Sequence, residues 1–338
     1  MDKQEVVKFF LSNGFQLSSN VVEKVSQDPH KFLSEFKKIN PRPFIITEEH
    51  MKKITDKEKI EKQTEIKILF KTTFEKNILK PEDFINCYSK IYEKTSNILS
   101  KNKKMDRLIT INKITDKTNR FSIIGMVREK TNNNLLVEDK TGELFLFTDG
   151  VNIESIELDD ILGFVCENRE KVYLREVVYP EIPLGREIGK TEQEIKIFYF
   201  YRPSLIQDLN QVLDDLVKTK NKIIFVYGDW QDAAVFGNLN KYLISDEERI
   251  VFFDVGGVKI LGVFFEIDPI GLINKRMLKS KNPFENFVLE EIPDIILIST
   301  KEKYFKNYKG ISIISLNQKE TYFTINLKTR DIEEKTVK

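Results

Sequence analysis

The sequence predicts an α+β protein of several domains, and its length and two changes in apolar spacing carry that prediction. At roughly 150 residues per domain, a chain of 338 residues suggests two or three domains. Apolar residues follow helical spacing near the start, alternate with polar ones near the middle, and then form strand and helix runs in turn. We therefore expect a small helical domain at 1–50, a charged linker and amphipathic helix at 51–104, a small β-barrel at 105–184 and a layered α/β domain at 185–338.

Charge and composition argue against several classes of protein. Fifty-four basic and 53 acidic side chains leave a net charge of +1, which is too even for a uniformly basic nucleic-acid coat. No apolar run reaches the roughly 18 residues of a membrane span, and the charged N-terminus does not resemble a secretory signal. Cys87 and Cys166 form neither a disulfide framework nor a metal-binding pair, so we expect a reducing, cytoplasmic compartment.

The first predicted element is the helical domain. Between residues 4 and 38, apolar side chains recur at intervals of three and four, with a break at Asn13-Gly14. The segment Gln4–Leu11 faintly resembles a sliding-clamp-binding peptide, because it places a glutamine, an aliphatic residue and aromatics in about one helical turn. An ordinary amphipathic helix is the alternative, since the apolar spacing alone explains it. After the linker, Pro81–Phe84 suits the first turn of a second amphipathic helix.

The middle of the chain predicts a small barrel such as an OB-fold. Its strand-like runs are Leu108–Ile114, Phe121–Arg128, Leu135–Glu138, Leu144–Thr148, Ile161–Glu167 and Val172–Val178. About five strands without a long helix are typical of that fold, which often binds single strands through aromatics on a basic face. The candidate nucleic-acid-binding residues are Arg120, Phe121, Arg128 and Lys130, beside Phe145 and Phe147. Ordinary barrel core and surface is the alternative.

The layered domain is predicted from strands that alternate with a helix and then follow one another. A strand at Glu194–Tyr201, a helix at Ser204–Lys218 with Ser204 as its N-cap, and a buried strand at Lys222–Tyr227 come first. Further strands are expected at Ile250–Phe253, Val258–Phe265, Ile295–Ser299, Ile311–Leu316 and Tyr322–Leu327.

One strand end in this domain has the pattern of a metal site. The strand Lys222–Tyr227 is followed by Gly228–Asp232, whose GDxxD pattern is how binuclear metallophosphoesterases present a bridging carboxylate. Such a centre also needs several imidazoles, but histidine occurs only at His30 and His50. We therefore expect a turn with two solvated aspartates, and a residual Mg²⁺ or Mn²⁺ site would have only Asp229, Asp232, Asn238 and scattered carboxylates as oxygen ligands.

Short segments in a fixed order carry a resemblance to a known family. They are Pro81–Phe84, Ile124–Lys130, Val137–Gly142, Tyr179–Pro183, Ile292–Ile295 and Tyr308–Ile311. Their order and spacing resemble the small subunits of archaeal DNA polymerase D, in the family of the B-subunits of eukaryotic replicative polymerases. The resemblance implies an OB-fold followed by a calcineurin-like phosphoesterase domain, here shortened.

The departures from this family concern its metal ligands. Its SDxH strand end would fall on Tyr199–Arg202 and its GHxH turn on Ser299–Glu302, so neither keeps a histidine. Its GNHD turn would fall on Gly237–Asn240, or alternatively on the turn at Gly228. The family's 3′ to 5′ exonuclease activity is therefore not carried over, and we expect no catalytic residue and no cofactor.

Binding is the function that remains. The resemblance implies that barrel and phosphoesterase-like domain together hold the zinc-bearing C-terminal region of the large catalytic subunit. We expect a non-catalytic subunit of an archaeal polymerase heterodimer that reaches DNA through the complex. The aromatic residues considered as anchors, with domain core as the alternative, are Trp230, Phe236, Tyr242, Phe284 and Phe287. A residual metal-dependent nuclease or phosphodiesterase and a stand-alone single-strand-binding protein stay open.

Overall fold

The chain folds into two units, Met1–Glu65 and Ile66–Lys338. The computed structural model describes residues 2–37, 39, 43–52, 54, 66–72, 80–206, 210–228, 236, 243–244, 250–280, 284 and 286–337. Within these ranges, no helix has the length and apolarity that crossing a membrane requires.

The first unit is built from short helices around its own apolar core. Its elements are α1 (Lys3–Ser12), α2 (Ser19–Val25), α3 (Pro29–Lys37) and the parallel pair β1 (Gln16–Leu17) and β2 (Ile45–Ile46). Helix α1 begins at a capping box, in which the Asp2 carboxylate accepts from the Glu5 amide at 2.8 Å. Val6 and Phe10 are fully buried in the core of this unit. Val6 and Phe10 therefore form the buried face of α1, as in an ordinary amphipathic helix, whereas Leu11 is 50% exposed.

The second unit contains a closed five-stranded barrel. Its strands are β4 (Arg120–Lys130), β5 (Asn134–Asp139), β6 (Gly142–Phe147), β7 (Ile161–Asn168) and β8 (Val172–Val178). They close in the order β4-β5-β6-β8-β7, and a parallel pairing of Phe147 with Tyr173 joins β6 to β8. The predicted strands over this region are thus confirmed, with one exception.

The exception is the strand expected at Leu108–Ile114, which is wrong. Residues Ile111–Lys113 form a turn of 3₁₀ helix instead. The amide of Ile111 donates a hydrogen bond to Asp139 Oδ2 at 2.8 Å. The Asp139 carboxylate thus takes the place of the carbonyl acceptor that a neighbouring strand would supply. The Ile111 side chain packs into the barrel core.

Two sheets face each other in the C-terminal part of the second unit. Their strands are β3 (Ile66–Lys71), β9 (Lys196–Tyr201), β10 (Lys222–Tyr227), β11 (Leu243–Ile244), β12 (Ile250–Val255), β13 (Val258–Val263), β16 (Ile295–Ile298), β17 (Tyr304–Tyr308), β18 (Ile311–Ser315), β19 (Thr321–Asn326) and β20 (Ile332–Thr336). One sheet has the order β11-β10-β9-β19-β20, and the other has the order β17-β18-β16-β13-β12-β3. A short pair, β14 (Met277–Leu278) and β15 (Phe287–Val288), lies outside both.

Alternate residues of the central strands enter different cores. Ile197 and Tyr199 of β9 pack between the sheets, whereas Phe198 and Phe200 pack under α5 (Asn210–Lys218). The second sheet likewise buries its outer face against α6 (Pro269–Lys275). The layers are therefore helix, sheet, sheet and helix, and burial on both faces explains the nearly continuous apolar runs of these strands.

The helix predicted to start at Ser204 does not begin there. Pro203–Leu205 form a 3₁₀ turn, and the described part of the helix is Asn210–Lys218. The amide of Arg202, which has a left-handed φ of 46°, donates to the Tyr227 carbonyl at 2.7 Å. This bond fixes the end of β9, and the proline turn then redirects the chain.

Helix α4 (Pro81–Leu99) joins the barrel to the layered part. Its residues Ile91 and Leu99 share one buried cluster with barrel residues such as Ile124 and with Met277 and Val288 of the β14–β15 pair. The same junction contains an ion-pair group at the fully buried carboxylate of Asp160, which binds Lys275 Nζ at 2.7 Å and Lys279 Nζ at 2.6 Å. The barrel, α4 and the layered part thus pack together through shared buried residues.

Candidate functional site

Two strands that lead into segments aligned with metal-binding motifs meet in the structure. The hydroxyl of Tyr199, in β9, donates to the carbonyl of Ile298, the last residue of β16. The segments aligned with the family's SDxH and GHxH motifs, Tyr199–Arg202 and Ser299–Glu302, are therefore neighbours although about 100 residues separate them in sequence.

Aromatic rings pack between the two sheets beside these segments. Phe225 of β10 stacks on Phe264 with ring centroids 5.0 Å apart and an angle of 4° between the rings. Tyr199 packs edge-on against Phe225 at 5.4 Å. Tyr227 stacks with Tyr201 at 5.5 Å, and its hydroxyl donates to the Phe264 carbonyl at 3.0 Å. We call Tyr199, Tyr201, Phe225, Tyr227 and Phe264 the strand-end aromatic cluster.

A glycine makes room for this cluster. A Cβ at Gly262 of β13 would lie 2.2 Å from Phe225 Cζ. Any other residue at that position would displace the ring. Burial also raises the pKa of Tyr199 well above its ordinary value, so its phenol stays protonated and serves as a donor to Ile298.

The polar groups of the other aligned turn bond to one another. The Thr300 amide donates to Ser315 Oγ at 3.1 Å, and the Thr300 hydroxyl donates to the Glu302 carbonyl at 2.9 Å. Ser299 is buried, and Lys301 is exposed. Of the four side chains of this turn, only the Glu302 carboxylate is of a type that a binuclear metal centre uses as a ligand.

Three of the predicted site residues lie outside the described residues. They are Asp229, Asp232 and Asn238, the oxygen ligands of a residual Mg²⁺ or Mn²⁺ site. Gly228, which opens their turn, is described and buried at the end of β10. Within the described ranges, no three His, Cys, Asp or Glu residues are grouped as a metal ion would require.

The structure does not bring the four predicted nucleic-acid-binding residues together. Phe121 is 1% exposed in the barrel core, so its ring cannot stack on a base and this assignment is wrong. Lys130 Nζ donates to the carbonyls of Glu154 and Ile156 at 3.0 and 2.7 Å and so braces the β6–β7 connection.

Arg128 and Arg120 lie on different parts of the barrel surface. Arg128 pairs with Glu138 at 3.0 Å and with Asp159 at 3.4 Å, which neutralises its charge beside α4. Arg120 is exposed at the start of β4, in register with Glu167 of β7. Arg120 is therefore accessible, whereas the other three residues are buried or bonded to protein groups.

The barrel also carries exposed aromatics that the sequence reasoning used only in part. Phe145 is 44% exposed and contacts Phe147 at 5.4 Å, and Phe147 contacts Tyr173 at 5.9 Å. Tyr173 and the cations around it were missed. The available signal was alternation along β8, where Tyr173 and Arg175 flank the buried Leu174.

Of the five aromatic residues considered as partner anchors, three pack against other rings and two lie outside the described residues. Phe236 is fully buried and stacks on Phe200 at 4.8 Å, so it belongs to the domain core. Phe287 stacks on Phe70 at 4.2 Å, and Phe284 packs edge-on against a ring of α4. Trp230 and Tyr242 lie outside the described residues.

Comparisons with known proteins leave the family open. No family model matches the sequence, and no curated protein matches it. The solved telomere capping protein Ten1 from Saccharomyces pombe matches at 24% identity over 21% of this chain and 77% of that chain, with a TM-score of 0.20. The S. pombe Stn1-Ten1 complex matches at 23% identity over 21% of this chain and 72% of that chain, with a TM-score of 0.19. Likenesses this short and distant carry no information on function.

Proposed function

We propose that this chain is a non-catalytic subunit of an archaeal replicative DNA polymerase and that it binds the large catalytic subunit of a polymerase D heterodimer. The observation that carries the proposal is the strand-end aromatic cluster. Beside the segments aligned with two of the family's metal-binding motifs, Tyr199, Phe225 and Phe264 pack ring on ring, whereas a metallophosphoesterase needs carboxylates and imidazoles around two cations. Such a cluster stabilises the scaffold and offers no ligand to a metal.

The topology supports the same proposal. The barrel order β4-β5-β6-β8-β7, with β6 and β8 parallel, matches an OB-fold. The helix-sheet-sheet-helix layers are compatible with a calcineurin-like domain. The ordered sequence segments that resemble the polymerase family run through both parts, and Asp160 with Lys275 and α4 hold these parts as one body. A rigid composite surface of this kind suits a lasting protein partner.

Co-purification tests the proposal directly. The full chain is co-expressed with the large polymerase D subunit encoded in the same genome, and the mixture is analysed by size-exclusion chromatography with light scattering. We expect a stable heterodimer with polymerase activity, and each subunit expressed alone is the control. A chain that stays monomeric beside that subunit at micromolar concentration contradicts the proposal.

A nuclease assay tests the loss of chemistry. The purified chain is incubated with 5′-labelled single-stranded DNA and Mn²⁺ or Mg²⁺, and we expect no shortening of the strand. Asp229→Ala and the matched surface variant Asp214→Ala should behave like the unchanged chain. Metal-dependent shortening that disappears in Asp229→Ala but persists in Asp214→Ala would instead establish a residual nuclease.

A further inference from the structure

A row of paired side chains crosses the outside of the barrel. Phe147 of β6 pairs with Tyr173 of β8, Tyr173 pairs with Glu167 of β7, and Glu167 pairs with Arg120 of β4. Residues directly opposite on neighbouring strands point to the same face of a sheet, so these four side chains lie side by side. Neighbouring strands are about 4.8 Å apart, which gives the row a length of roughly 14 Å.

The aromatic end of the row extends to Phe145. That residue lies two positions before Phe147 on β6 and therefore on the same face. The three rings form a chain of contacts, with centroids 5.4 Å apart for Phe145 and Phe147 and 5.9 Å apart for Phe147 and Tyr173. A folded core would bury rings of this size, but here each keeps accessible surface.

Cations lie over two of these rings and at the other end of the row. Lys171 Nζ lies 4.4 Å from the centroid of the Phe147 ring, and the guanidinium carbon of Arg175 lies 5.7 Å from that of Tyr173. The Nε atoms of Arg169 and Arg175 donate to the two carboxylate oxygens of Glu167, at 2.8 and 2.7 Å.

These pairings orient the two arginines without using all of their donors. The hydrogen bonds from Arg169 and Arg175 lower the pKa of Glu167, so its carboxylate stays ionised and in place. Each guanidinium has five N–H groups, and the bond to Glu167 uses one of them. With Arg120 and Lys171, four cations stand against the carboxylates of Glu167 and Glu170, which leaves this set of charged side chains with a net positive charge.

We infer that this row, formed by Phe145, Phe147, Tyr173, Lys171, Arg175, Arg169 and Arg120, binds single-stranded nucleic acid. Phe145 is exposed and Phe147 and Tyr173 are half-buried, so these rings in contact can stack on unpaired bases, and the cations beside them can attract the phosphate backbone. The inference goes beyond the proposed subunit function, because it concerns the isolated chain. An acidic protein segment would meet the cations but would have no bases for the rings, so the rings distinguish the two ligands.

Fluorescence anisotropy with the full chain tests this inference. The probe is a labelled oligothymidylate of about 20 nucleotides, long enough for one barrel. We expect binding at low salt that weakens steeply as salt is added, because phosphate contacts release counterions. A labelled oligouridylate of the same length distinguishes DNA from RNA as the preferred ligand, and tight binding of either one supports the inference.

Variants of the row separate stacking from simple charge attraction. Phe145→Ala and Tyr173→Ala should each weaken binding roughly 5- to 100-fold, whereas Tyr173→Phe, which keeps the ring, should bind nearly as well as the unchanged chain. Lys171→Ala should lower the slope of log affinity against log salt by about one. Phe305→Ala and Lys306→Ala, at an exposed Phe and Lys of β17, are the matched controls and should change nothing.

Two results would overturn the inference. One is the absence of an anisotropy change for both oligonucleotides at low salt. The other is binding that survives Phe145→Ala and Tyr173→Ala unchanged and is displaced equally by polyglutamate, since the cations alone would then account for it. Neither result depends on whether the chain joins a polymerase complex, so the subunit proposal is tested separately.

Discussion

Arg186 Nη1 donates a hydrogen bond to Asp294 Oδ1 at 2.9 Å, and this pair ties the exit of the barrel to the start of β16. The other terminal nitrogen of Arg186 donates to the carbonyls of Pro293 and Gly310, both at 3.1 Å. Asp294 also accepts from the Gly189 amide at 3.0 Å. Pro293 and Gly310 lie in two of the short segments that carry the family resemblance, and the Arg186 guanidinium thus binds both segments.

Removal of this guanidinium should destabilise the second unit strongly. The Arg186 and Asp294 side chains are only 13% and 4% exposed, so Arg186→Ala removes the ion-pair partner of a buried carboxylate and leaves it with two backbone amides and the nearby Arg330 guanidinium. We expect a loss of about 3–5 kcal/mol in the free energy of unfolding, measured by urea denaturation. Lys104→Ala breaks an exposed pair with Glu176 and should change little. A loss below about 1 kcal/mol for Arg186→Ala would contradict the role of this pair.

Gly262→Ala should disturb the strand-end aromatic cluster. The new methyl group would lie 2.2 Å from Phe225 Cζ, and that ring cannot retreat because Phe264 stacks on it. We expect a loss of about 1–3 kcal/mol by thermal or urea denaturation, partly recovered when Phe225→Leu is added. Gly142→Ala is the matched control, because its Cβ would meet only Ile111 Cγ2 at 3.6 Å. Equal effects of the two glycine substitutions would show that the cluster is not tightly packed.

Cys166 should report on unfolding of the barrel. Its thiol is fully buried in the barrel core, and burial raises its pKa to about 12. In a Cys87→Ser chain, which keeps Cys166 as its single thiol, we expect no reaction with Ellman's reagent at mildly alkaline pH until denaturant is added. Rapid labelling of the native Cys87→Ser chain would mean that the barrel opens readily.

The carboxylate of Asp215 should contribute to acid sensitivity. Its Oδ2 accepts from Lys335 Nζ at 2.8 Å and from the Tyr322 hydroxyl at 3.2 Å. The Lys335 hydrogen bond is the main cause that lowers the pKa of Asp215 in the folded chain. The stabilisation is therefore complete above the ordinary aspartate pKa of about 3.9 and is lost as the pH falls through the lower folded value.

Asp215→Asn checks this pH dependence. The variant should lose less stability than the unchanged chain between about pH 6 and pH 3, while Asp214→Asn, at an exposed neighbour, should follow the unchanged chain. The difference should stay below about 1 kcal/mol, because the pair with Lys335 is partly exposed and screened by solvent. Identical pH profiles for all three chains would show that Asp215 does not contribute to acid sensitivity.

The strands of the layered part were predictable because each is buried on both faces. Lys222–Tyr227 has the predicted bounds, and Ile311–Ser315 differs by one residue at its end. The edge strands β3, β17 and β20 were not predicted. Their sequences mix apolar and charged residues, and pairing with a neighbouring strand, rather than their own pattern, makes them strands.

The candidate sites, like the strands, could be predicted only in part. The sequence alone excludes a histidine-based metal centre built from residues beyond His50, because histidines can be counted without knowledge of the fold. It could not tell which aromatics are core, as the burial of Phe121 and the exposure of Phe145 show.

By itself, then, the sequence indicated most of the barrel strands and the strands buried on both faces, and it showed that histidine is missing beyond His50. Tertiary structure decided that Tyr199 meets Ile298 and that Phe147 lies beside Tyr173. The reason is physical: apolar spacing reveals which face of a strand is buried, whereas the choice of neighbouring strands depends on how distant segments pack into one core.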